Sequence, residues 1–207
     1  MADKWNLGSF VEAAAFAALD EVFATFRSDD GFARPARYEA YFFPPASRSQ
    51  TNIFAQMMGE QVKDGTARKT ALRCQTFVFP GRNLDTAPDT NIYGPTREIV
   101  QGYSFASTTA VFQCSSDMKE KRFFEIWQRL AYNPQTWAMQ YYNDYVGSIK
   151  IFQLDETDRQ RYGVELVEAF PKTIAAQALD YSTVNAIQTV SVTFSYRYWK
   201  DLKDEAY

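Results

Sequence analysis

The longest regular pattern of apolar and polar positions lies near the end of the chain, from Thr189 to Tyr198. One set of alternate residues is apolar or aromatic and the other is mostly hydroxylic: Val190, Val192, Phe194, Tyr196 and Tyr198 against Thr189, Ser191, Thr193, Ser195 and Arg197. Strict alternation indicates a β-strand with one buried face. A strand of this length, roughly 33 Å, needs partners along both edges to avoid aggregation.

Two segments show helical spacing instead. Ser9–Phe26 begins with a capping-box pattern, Ser9 and Glu12, and continues as an Ala-rich run with apolar residues three and four apart. It is predicted to pack on its own protein or to serve as an arm that bridges to a neighbouring subunit. Asp117–Ala131 is the second predicted helix, with Asp117 as N-cap and an apolar stripe of Phe123, Ile126, Trp127 and Leu130.

The other periodic segments predict strands separated by short connections. They are Tyr38–Phe43, Leu72–Phe79, Arg97–Gln101, Phe105–Cys114, Tyr145–Leu154, Tyr162–Ala169 and Thr173–Leu179. Residues 46–70 are predicted to form an insertion with a short helix at Ile53–Val62, and Arg82–Pro95 a long connection. The predicted fold is mainly β, an antiparallel two-sheet sandwich or barrel with an N-terminal helix and one internal helix.

Composition narrows the function. The formal net charge of −3 argues against a nucleic-acid-binding surface. No apolar run is long enough for a membrane helix, and the N-terminus does not resemble a secretory signal. Cys74 and Cys114 fit a reducing compartment, although a disulfide between them stays an open alternative. The chain contains no histidine, which lowers the expectation of a hydrolase triad or a zinc site.

Three groups of residues carry potential chemistry, and each has a simpler structural explanation. Asp155, Glu156 and Asp158 resemble a weak calcium loop but more often form a solvated hairpin tip. Glu165, Glu168 and Glu98 are candidate catalytic carboxylates or residues of a solvated face. The aromatic residues Trp137, Tyr141, Tyr142 and Tyr145 form a stacking platform or, as we favour, core and interface material. We predict no catalytic, cofactor-binding or metal-binding residue.

Several motifs together resemble those of one known family. The most extensive lies at the end: Ala169–Ile174, Leu179–Ser182 and Asn185–Trp199. Preceding it, in matching order, are Phe32–Pro35, Cys74–Gly81, Tyr93–Ile99 and the helix with Phe124 and Trp127. Over residues 30 to 200 the chain resembles the tail tube proteins of contractile-tailed bacteriophages.

The resemblance implies a structural protein without enzymatic activity or cofactor. Members have two packed sheets and form hexameric rings whose inner strands line a channel. Rings stack into a tube through which DNA and the tape-measure protein pass. The implied partners are further copies of the chain and the tube, sheath and baseplate hub proteins, with no membrane and no sequence-specific DNA binding. The implied location is the virion, after assembly in the host cytoplasm.

The expected organisation is an N-terminal helical arm at 1–31, a tube-like β domain at 32–200 and a polar tail at 201–207. The insertion at 46–70 is longer than expected for a repeating tube subunit, so a tube-initiating baseplate protein stays an equal alternative. Thr189, Ser191, Thr193 and Ser195 are expected to face the lumen or solvent. A monomeric ligand-binding β-barrel is the second hypothesis for the function, and a hydrolase with a carboxylate pair is the third.

Overall fold

The computed structural model describes residue 24 and residues 33–45, 53–91, 93–182 and 184–202. The described residues form nine strands: β1 Tyr38–Phe43, β2 Cys74–Phe77, β3 Asn83–Asp89, β4 Arg97–Ser104, β5 Thr108–Gln113, β6 Gly147–Leu154, β7 Gln160–Ile174, β8 Thr189–Ser195 and β9 Tyr198–Asp201. The helices are α1 Ile53–Lys63, α2 Thr66–Leu72, α3 Lys119–Ala131 and α4 Tyr142–Tyr145. The predicted helix Ser9–Phe26 lies outside the described residues except for residue 24.

The strands form two antiparallel sheets that share β7. Sheet 1 has the order β1-β6-β7-β9, and sheet 2 has the order β7-β8-β5-β2. Strands β3 and β4 form a separate hairpin. The antiparallel two-sheet prediction is confirmed. Because the path of paired strands ends at β1 on one side and β2 on the other, the sheets do not close into a barrel.

Strand β7 connects the two sheets along its length. Residues 164–167 pair with β9 in sheet 1, and Phe170–Ile174 pairs with β8 in sheet 2. The strand bends at Glu168, whose φ of 55° lies in the left-handed region. The prediction of two strands, Tyr162–Ala169 and Thr173–Leu179, is therefore wrong. The sequence Phe170-Pro171 predicts a break between two strands, but Pro171 lies inside the continuous strand β7.

The final segment follows β7 in the opposite direction and changes sheet with it. The predicted single strand Thr189–Tyr198 is in fact two strands, β8 and β9, separated at Tyr196 and Arg197. The side-chain alternation holds up to the break, with Val190, Val192 and Phe194 fully buried. Tyr198, predicted to lie on the same buried face, is 40% exposed because it belongs to the other sheet. Strand β9 also includes Asp201, the first residue of the predicted polar tail.

Aromatic rings fill the space between the sheets and α3. The ring of Phe42 lies 5.6 Å from that of Phe112, 5.9 Å from Phe124 and 5.8 Å from Phe194. Such pairs each add about 0.5–1.5 kcal/mol beyond their burial. The indole nitrogen of Trp127, itself fully buried, donates a 2.8 Å hydrogen bond to the carbonyl oxygen of Tyr145. The predicted apolar stripe of α3 is thus the centre of the core.

Helix α3 begins later than predicted. Its N-cap is Met118, with a left-handed backbone and no side-chain cap, so the assignment of Asp117 as N-cap is wrong. Ser115 and Glu120 supply the side-chain hydrogen bonds that are otherwise missing at the start of the helix. The Glu120 carboxylate accepts hydrogen bonds from the Ser115 amide (2.8 Å) and hydroxyl (2.9 Å), while the Lys119 amide donates to the Ser115 hydroxyl at 3.3 Å. The buried Glu120 also pairs with Arg73 at 3.0 Å.

The insertion at 46–70 contains two helices where the sequence predicted one. Helix α1 confirms the predicted helix, and a turn at Gly65 with φ of 70° leads into α2. Helix α2 lies against β1, where Arg68 pairs with Glu39 and stacks 4.5 Å above the Tyr41 ring. Since α2 extends to Leu72, the following strand is confined to Cys74–Phe77 rather than Leu72–Phe79.

Residues 82–95 are not the long connection that the sequence predicted. Asn83–Asp89 forms β3, which pairs with β4, and β4 itself extends from Arg97 to Ser104 instead of ending at Gln101. The turn-forming residues of this segment do not indicate the strand that it forms. Pro88 has no N–H to donate. It is tolerated because β3 pairs with β4 alone among the described strands, so no second strand needs that donor.

Two further strand boundaries differ from the predictions. Strand β5 begins at Thr108 rather than Phe105. Strand β6 begins at Gly147 rather than Tyr145, because Tyr142–Tyr145 forms the short helix α4.

Candidate assembly surface

Sheet 2 has a buried face and an outward face that is uncharged except at its β7 edge, where Lys172 is exposed at an irregularity of the strand. The outward residues occupy matched positions on four strands: Thr76, Thr109, Val111, Gln113, Thr173, Thr189, Ser191, Thr193 and Ser195. In the centre, the hydroxyl oxygens of Thr109 and Thr193 lie 3.3 Å apart. The four residues predicted to face a lumen or solvent are thus brought together on one neutral, hydroxyl-rich surface, although Ser191, Thr193 and Ser195 are only half-exposed.

This face has little attraction for a polyanion. Protein affinity for DNA depends mainly on Lys and Arg side chains that neutralise phosphates. None of the nine outward residues named above carries a charge. A surface of Thr and Ser hydroxyl groups presents hydrogen-bonding groups without such a field.

Sheet 2 has two edges at which no further strand of the described chain pairs. One is β2, and the other is the C-terminal part of β7, Phe170–Ile174. At the β7 edge the side-chain amide of Gln128 donates to the carbonyl oxygens of Pro171 (3.3 Å) and Lys172 (3.2 Å). These two acceptors are therefore satisfied by a side chain, and a strand that pairs at this position displaces Gln128 from them.

An exposed apolar patch adjoins the β7 edge. Residues 132–141, here called the Trp137 loop, expose Trp137 by 72%, Met139 by 83% and Tyr141 by 85%. Of the four aromatic residues that the sequence singled out, only Tyr145 packs against the core. The interpretation as core material is therefore wrong for Trp137 and Tyr141, and the interface interpretation stays a prediction.

The β3–β4 hairpin carries a second set of exposed apolar side chains. They include Leu84, Tyr93, Ile99, Val100 and Tyr103, and Tyr93 at the hairpin tip is fully exposed. The hairpin is held by its own ladder and by the ion pair between Arg97 and Asp89 at 3.0 Å. Apart from the Tyr103 ring, which lies 5.4 Å from that of Phe105, its apolar side chains are therefore little covered by the described residues.

The candidate calcium loop is a closed hairpin turn. The Asp155 carboxylate accepts hydrogen bonds from the amides of Thr157 (2.7 Å) and Arg159 (3.0 Å) and pairs with Arg161 at 3.0 Å. These contacts, the Arg159 amide first, lower the pKa of Asp155 well below its usual range. Glu156 pairs with Arg34 and Asp158 with Arg37, each at 2.6 Å. The carboxylates thus hold the turn and its neighbouring strand.

The candidate catalytic carboxylates are also in ion pairs. Glu165 lies between Lys150 (3.7 Å) and Lys200 (3.3 Å). Glu168 accepts from Arg197 at 3.1 Å and from the Tyr142 hydroxyl at 3.0 Å. Burial, and then this bond to Glu168, raise the pKa of Tyr142.

Glu98 accepts from the Thr86 hydroxyl at 2.9 Å across the β3–β4 hairpin. The contacts of Glu165 with Lys150 and Lys200 and of Glu98 with Thr86 are cross-strand pairs of the kind that stabilise sheets.

The described residues show neither a cluster of metal ligands nor a membrane-spanning helix. In the described ranges no three His, Cys, Asp or Glu residues cluster as they would around a metal ion. No helix there is both long and apolar enough to cross a membrane. Cys74 and Cys114 are free thiols, and burial raises the pKa of Cys74 to about 11.

The described part of the chain thus combines two sheets, edges at which no described strand pairs and a neutral outward face, an arrangement suited to assembly. The chain belongs to the phage tail tube protein family, whose model matches residues 33–202. It is therefore a structural component of a phage tail or tail-like particle. No curated protein sequence matches the chain significantly.

Solved structures of tail-like particles share the fold. A chain of the anti-feeding prophage baseplate aligns with a TM-score of 0.54 and 12% identity, over 83% of this chain and 95% of that chain. The sheath/tube terminator of an extracellular contractile injection system aligns at 0.52 and 10%, over 80% and 92%. The anti-feeding prophage tube-terminating cap aligns at 0.52 and 13%, over 82% and 90%. At these identities the likeness establishes the fold.

Sequence reasoning missed the exposed apolar residues of the β3–β4 hairpin and Met139 of the Trp137 loop. Met139, Leu84 and Tyr93 lie in segments rich in Pro, Asn, Asp and Gly, where no periodic pattern gives them a buried face. That combination is the available signal. Large apolar residues in a turn-rich segment have no predicted core to join, so they indicate a contact outside the domain.

Proposed function

We propose that the chain forms a hexameric ring of the inner tube of a contractile tail, or of the baseplate layer on which that tube begins. Its role is structural rather than enzymatic. The observation that carries the proposal is sheet 2, which combines two unpaired edges with a neutral outward face. Membership of the tail tube family supports the same role.

The strand directions in sheet 2 suit a ring. The four strands β7, β8, β5 and β2 alternate in direction because every neighbouring pair is antiparallel. The two outermost strands, β7 and β2, therefore run in opposite directions. When β2 of one copy lies beside β7 of the next, the alternation continues without interruption. Such a head-to-tail interface generates a closed ring if the rotation between copies closes.

The outward face of sheet 2 is the proposed lining of the channel. Thr109 and Thr193 lie at its centre, and the residues around them are uncharged. In a ring this face presents repeated hydroxyl groups to passing DNA and to the tape-measure protein. DNA then moves through the lumen without sequence-specific contacts. The proposed location is the virion, after assembly in the host cytoplasm.

The β3–β4 hairpin is the element best suited to contact a neighbouring ring. It pairs with no other strand of the described chain and exposes Leu84, Tyr93 and Tyr103. Burial of a large apolar side chain contributes about 1.5–3 kcal/mol. Contact with the next ring would therefore stabilise the stack.

The helical insertion supports contacts outside the ring, with sheath or baseplate proteins. Helix α1 buries Phe54 and Met58 and leaves Ile53 and Met57 partly exposed, by 64% and 37%. An exposed apolar strip on a helix that is otherwise packed is a suitable protein contact. The proposal keeps both positions in the tail, the repeating tube subunit and the tube-initiating baseplate protein.

Negative-stain microscopy tests the proposal. Purified protein is imaged at high concentration, alone and with a sheath or baseplate partner. The expected result is six-fold rings, single or stacked. Monomers under all of these conditions would contradict the proposed assembly.

The alternative of a monomeric ligand-binding β-barrel has less support. The paired strands of the two sheets do not close, and the space between them is filled by packed rings such as Phe112 and Phe124, 4.8 Å apart. A small molecule that copurifies with the monomer and raises its melting temperature would favour that alternative.

A further inference from the structure

A groove lies beside the β7 edge of sheet 2. It has a volume of about 490 Å³ and is formed on one side by the end of α3, at Gln128, and by Tyr132 and Pro134. The opposite side is Phe170 to Lys172, the strand edge itself. Apart from Glu125, Arg129 and Lys172, the groove is lined by uncharged residues. If a further strand paired at this edge, the residue just after that strand would lie beside the groove.

The Trp137 loop forms an ordered wall next to the groove. The rings of Tyr132 and Trp137 lie 5.8 Å apart in an edge-to-face arrangement. Backbone hydrogen bonds close the loop, from Asn133 to Ala138 (3.1 Å), from Trp137 to Asn133 (2.9 Å) and from Gln140 to Ala131 (3.0 Å). Trp137 also has a φ of 56°, a conformation that costs free energy in a residue other than glycine. The loop thus presents a large exposed ring in a fixed position.

At the other edge of sheet 2, the residues just after β2 are apolar and exposed, and they lie in the same cross-strand row as the β7 edge. After β2, the Val78 amide continues the ladder by donating to Thr109 at 3.0 Å. Thr109 pairs with Thr193, and Thr193 pairs with Thr173. A single row therefore crosses the sheet from Val78 to the β7 edge. Val78 is 58% exposed and the adjacent Phe79 38%.

We propose that the groove beside the Trp137 loop receives the side chain of Phe79, just after β2, from the next copy of this chain. The occupant is a second copy because the two surfaces end the same row at opposite edges of one sheet. They cannot meet within one chain, but antiparallel addition of β2 beside β7 brings Val78 of the neighbour to Thr173, where the row ends, and Phe79 to Lys172 at the groove. This inference rests on the proposed ring and assigns residues to its subunit interface.

The chemistry of the two surfaces is complementary. Phe79 supplies an apolar ring that is 38% exposed and lies 5.9 Å from the Tyr162 ring of its own chain, and the groove supplies the rings of Tyr132 and Phe170. Trp and Tyr are the residue types that most often dominate binding free energy at interfaces. Neighbouring strands supply register through backbone hydrogen bonds, and the groove and loop add apolar burial to that edge.

Cysteine cross-linking tests the arrangement. Two single variants of the full chain, Lys172→Cys and Val78→Cys, are each prepared and treated with a short bismaleimide, separately and as an equimolar mixture. Both native residues are exposed, so the substitutions leave the core untouched. The unsubstituted chain, with Cys74 and Cys114 only, is the control for background reaction. The expected result is a covalent dimer in the mixture and little in either variant alone.

Two patterns would overturn the inference. Cross-linking of Lys172→Cys to itself would show that like edges meet, in a two-fold rather than head-to-tail contact. Rings that form and yield no dimer in the mixture would show that the groove faces something else, while the proposed function stands. If the unsubstituted chain forms no rings under any condition, the proposed function and this inference fail together.

A second measurement separates binding from folding. Trp137→Ser removes the exposed ring that packs against Tyr132 of the groove and is expected to raise the protein concentration required for ring formation at least about tenfold. Tyr181→Ser, which removes another fully exposed aromatic ring outside the groove, is the matched control and is expected to change it little. Equal effects of the two substitutions would contradict the assignment. The melting temperature of the monomer checks that both variants fold.

Discussion

Arg197 donates a 3.1 Å hydrogen bond to Glu168 at the point where two adjacent segments pass from one sheet to the other. Glu168 is the bend in β7, and Arg197 lies in the break between β8 and β9. The Arg197 amide also donates to the Val167 carbonyl at 3.1 Å, so main-chain pairing continues across the bend. The two-sheet fold depends on both segments turning together here.

The backbone at Glu168 gives the first prediction. Its φ of 55° is unfavourable for a side chain with Cβ, most of all a β-branched one. Glu168→Val is expected to destabilise the fold by about 1–2 kcal/mol more than Glu168→Gly, although both lose the bond to Arg197. Urea unfolding of the two variants measures the difference. Equal stabilities would show that the bend does not constrain residue 168.

A second prediction concerns two glycines with opposite surroundings. At Gly147 an added Cβ would lie 2.8 Å from the Trp127 ring and would collide with the Phe43 carbonyl oxygen. Gly147→Ala is therefore expected to cost about 1–3 kcal/mol. At Gly59, within α1, no atom lies within 4 Å of the added Cβ, so Gly59→Ala is expected to stabilise by about 0.5–1 kcal/mol. Thermal unfolding checks both signs, and a stabilised Gly147→Ala variant would show that the strand can move away from Trp127.

The third prediction is a loss of stability at high pH. Burial raises the pKa of Cys74 from its ordinary 9.0 to about 11 in the folded chain. Between these values the folded state binds more protons than the unfolded state, so the free energy of unfolding falls as pH rises. The contribution of Cys74 is full below pH 9.0 and lost above about 11.

Urea unfolding from pH 8 to 11 measures this decline. Cys74→Ser is expected to make it shallower, with Cys114→Ser as the comparison, since burial also raises the pKa of Cys114. A Cys74→Ser variant with an unchanged slope would assign the pH dependence to other groups. Tyr38, which donates to the Cys74 carbonyl at 2.9 Å and whose pKa is also raised by burial, is the next one to examine.

The fourth prediction concerns the β3–β4 hairpin. Replacing residues 84–103 with a short Gly–Ser linker is expected to leave the melting temperature nearly unchanged, because the hairpin pairs with no other strand of the described chain. The same variant is expected to form single rings without stacking. Negative-stain images and a thermal melt distinguish these effects. A large drop in melting temperature would show that the hairpin supports the fold itself.

The sequence predicted those elements in which one regular period persists. Tyr38–Phe43 alternates and has the predicted bounds, and Ile53–Lys63 agrees to within one residue. In α3 the stripe of apolar residues identified the buried face even though the start of the helix was misplaced. In these cases burial of one face decides the structure, and that burial is visible in the residues themselves.

Elements that depend on distant residues were not predictable in the same way. The break at Tyr196 and Arg197 does not interrupt the alternation, because it results from the change of sheet along β7. Strand β3 contains Pro88 and aspartates, which usually indicate a turn, and it exists because β4 pairs with it. The neutral outward face was predicted only on β8, since its continuation across Thr109 and Thr173 requires the register of three strands.

A cryo-EM reconstruction of the assembled protein tests the central claim most directly. The account predicts a six-fold ring in which the outward face of sheet 2, with Thr109 and Thr193, lines the channel and β2 of each copy lies beside β7 of the next. A ring in which sheet 1 or α3 faces the channel, or in which these two edges do not meet, would contradict it.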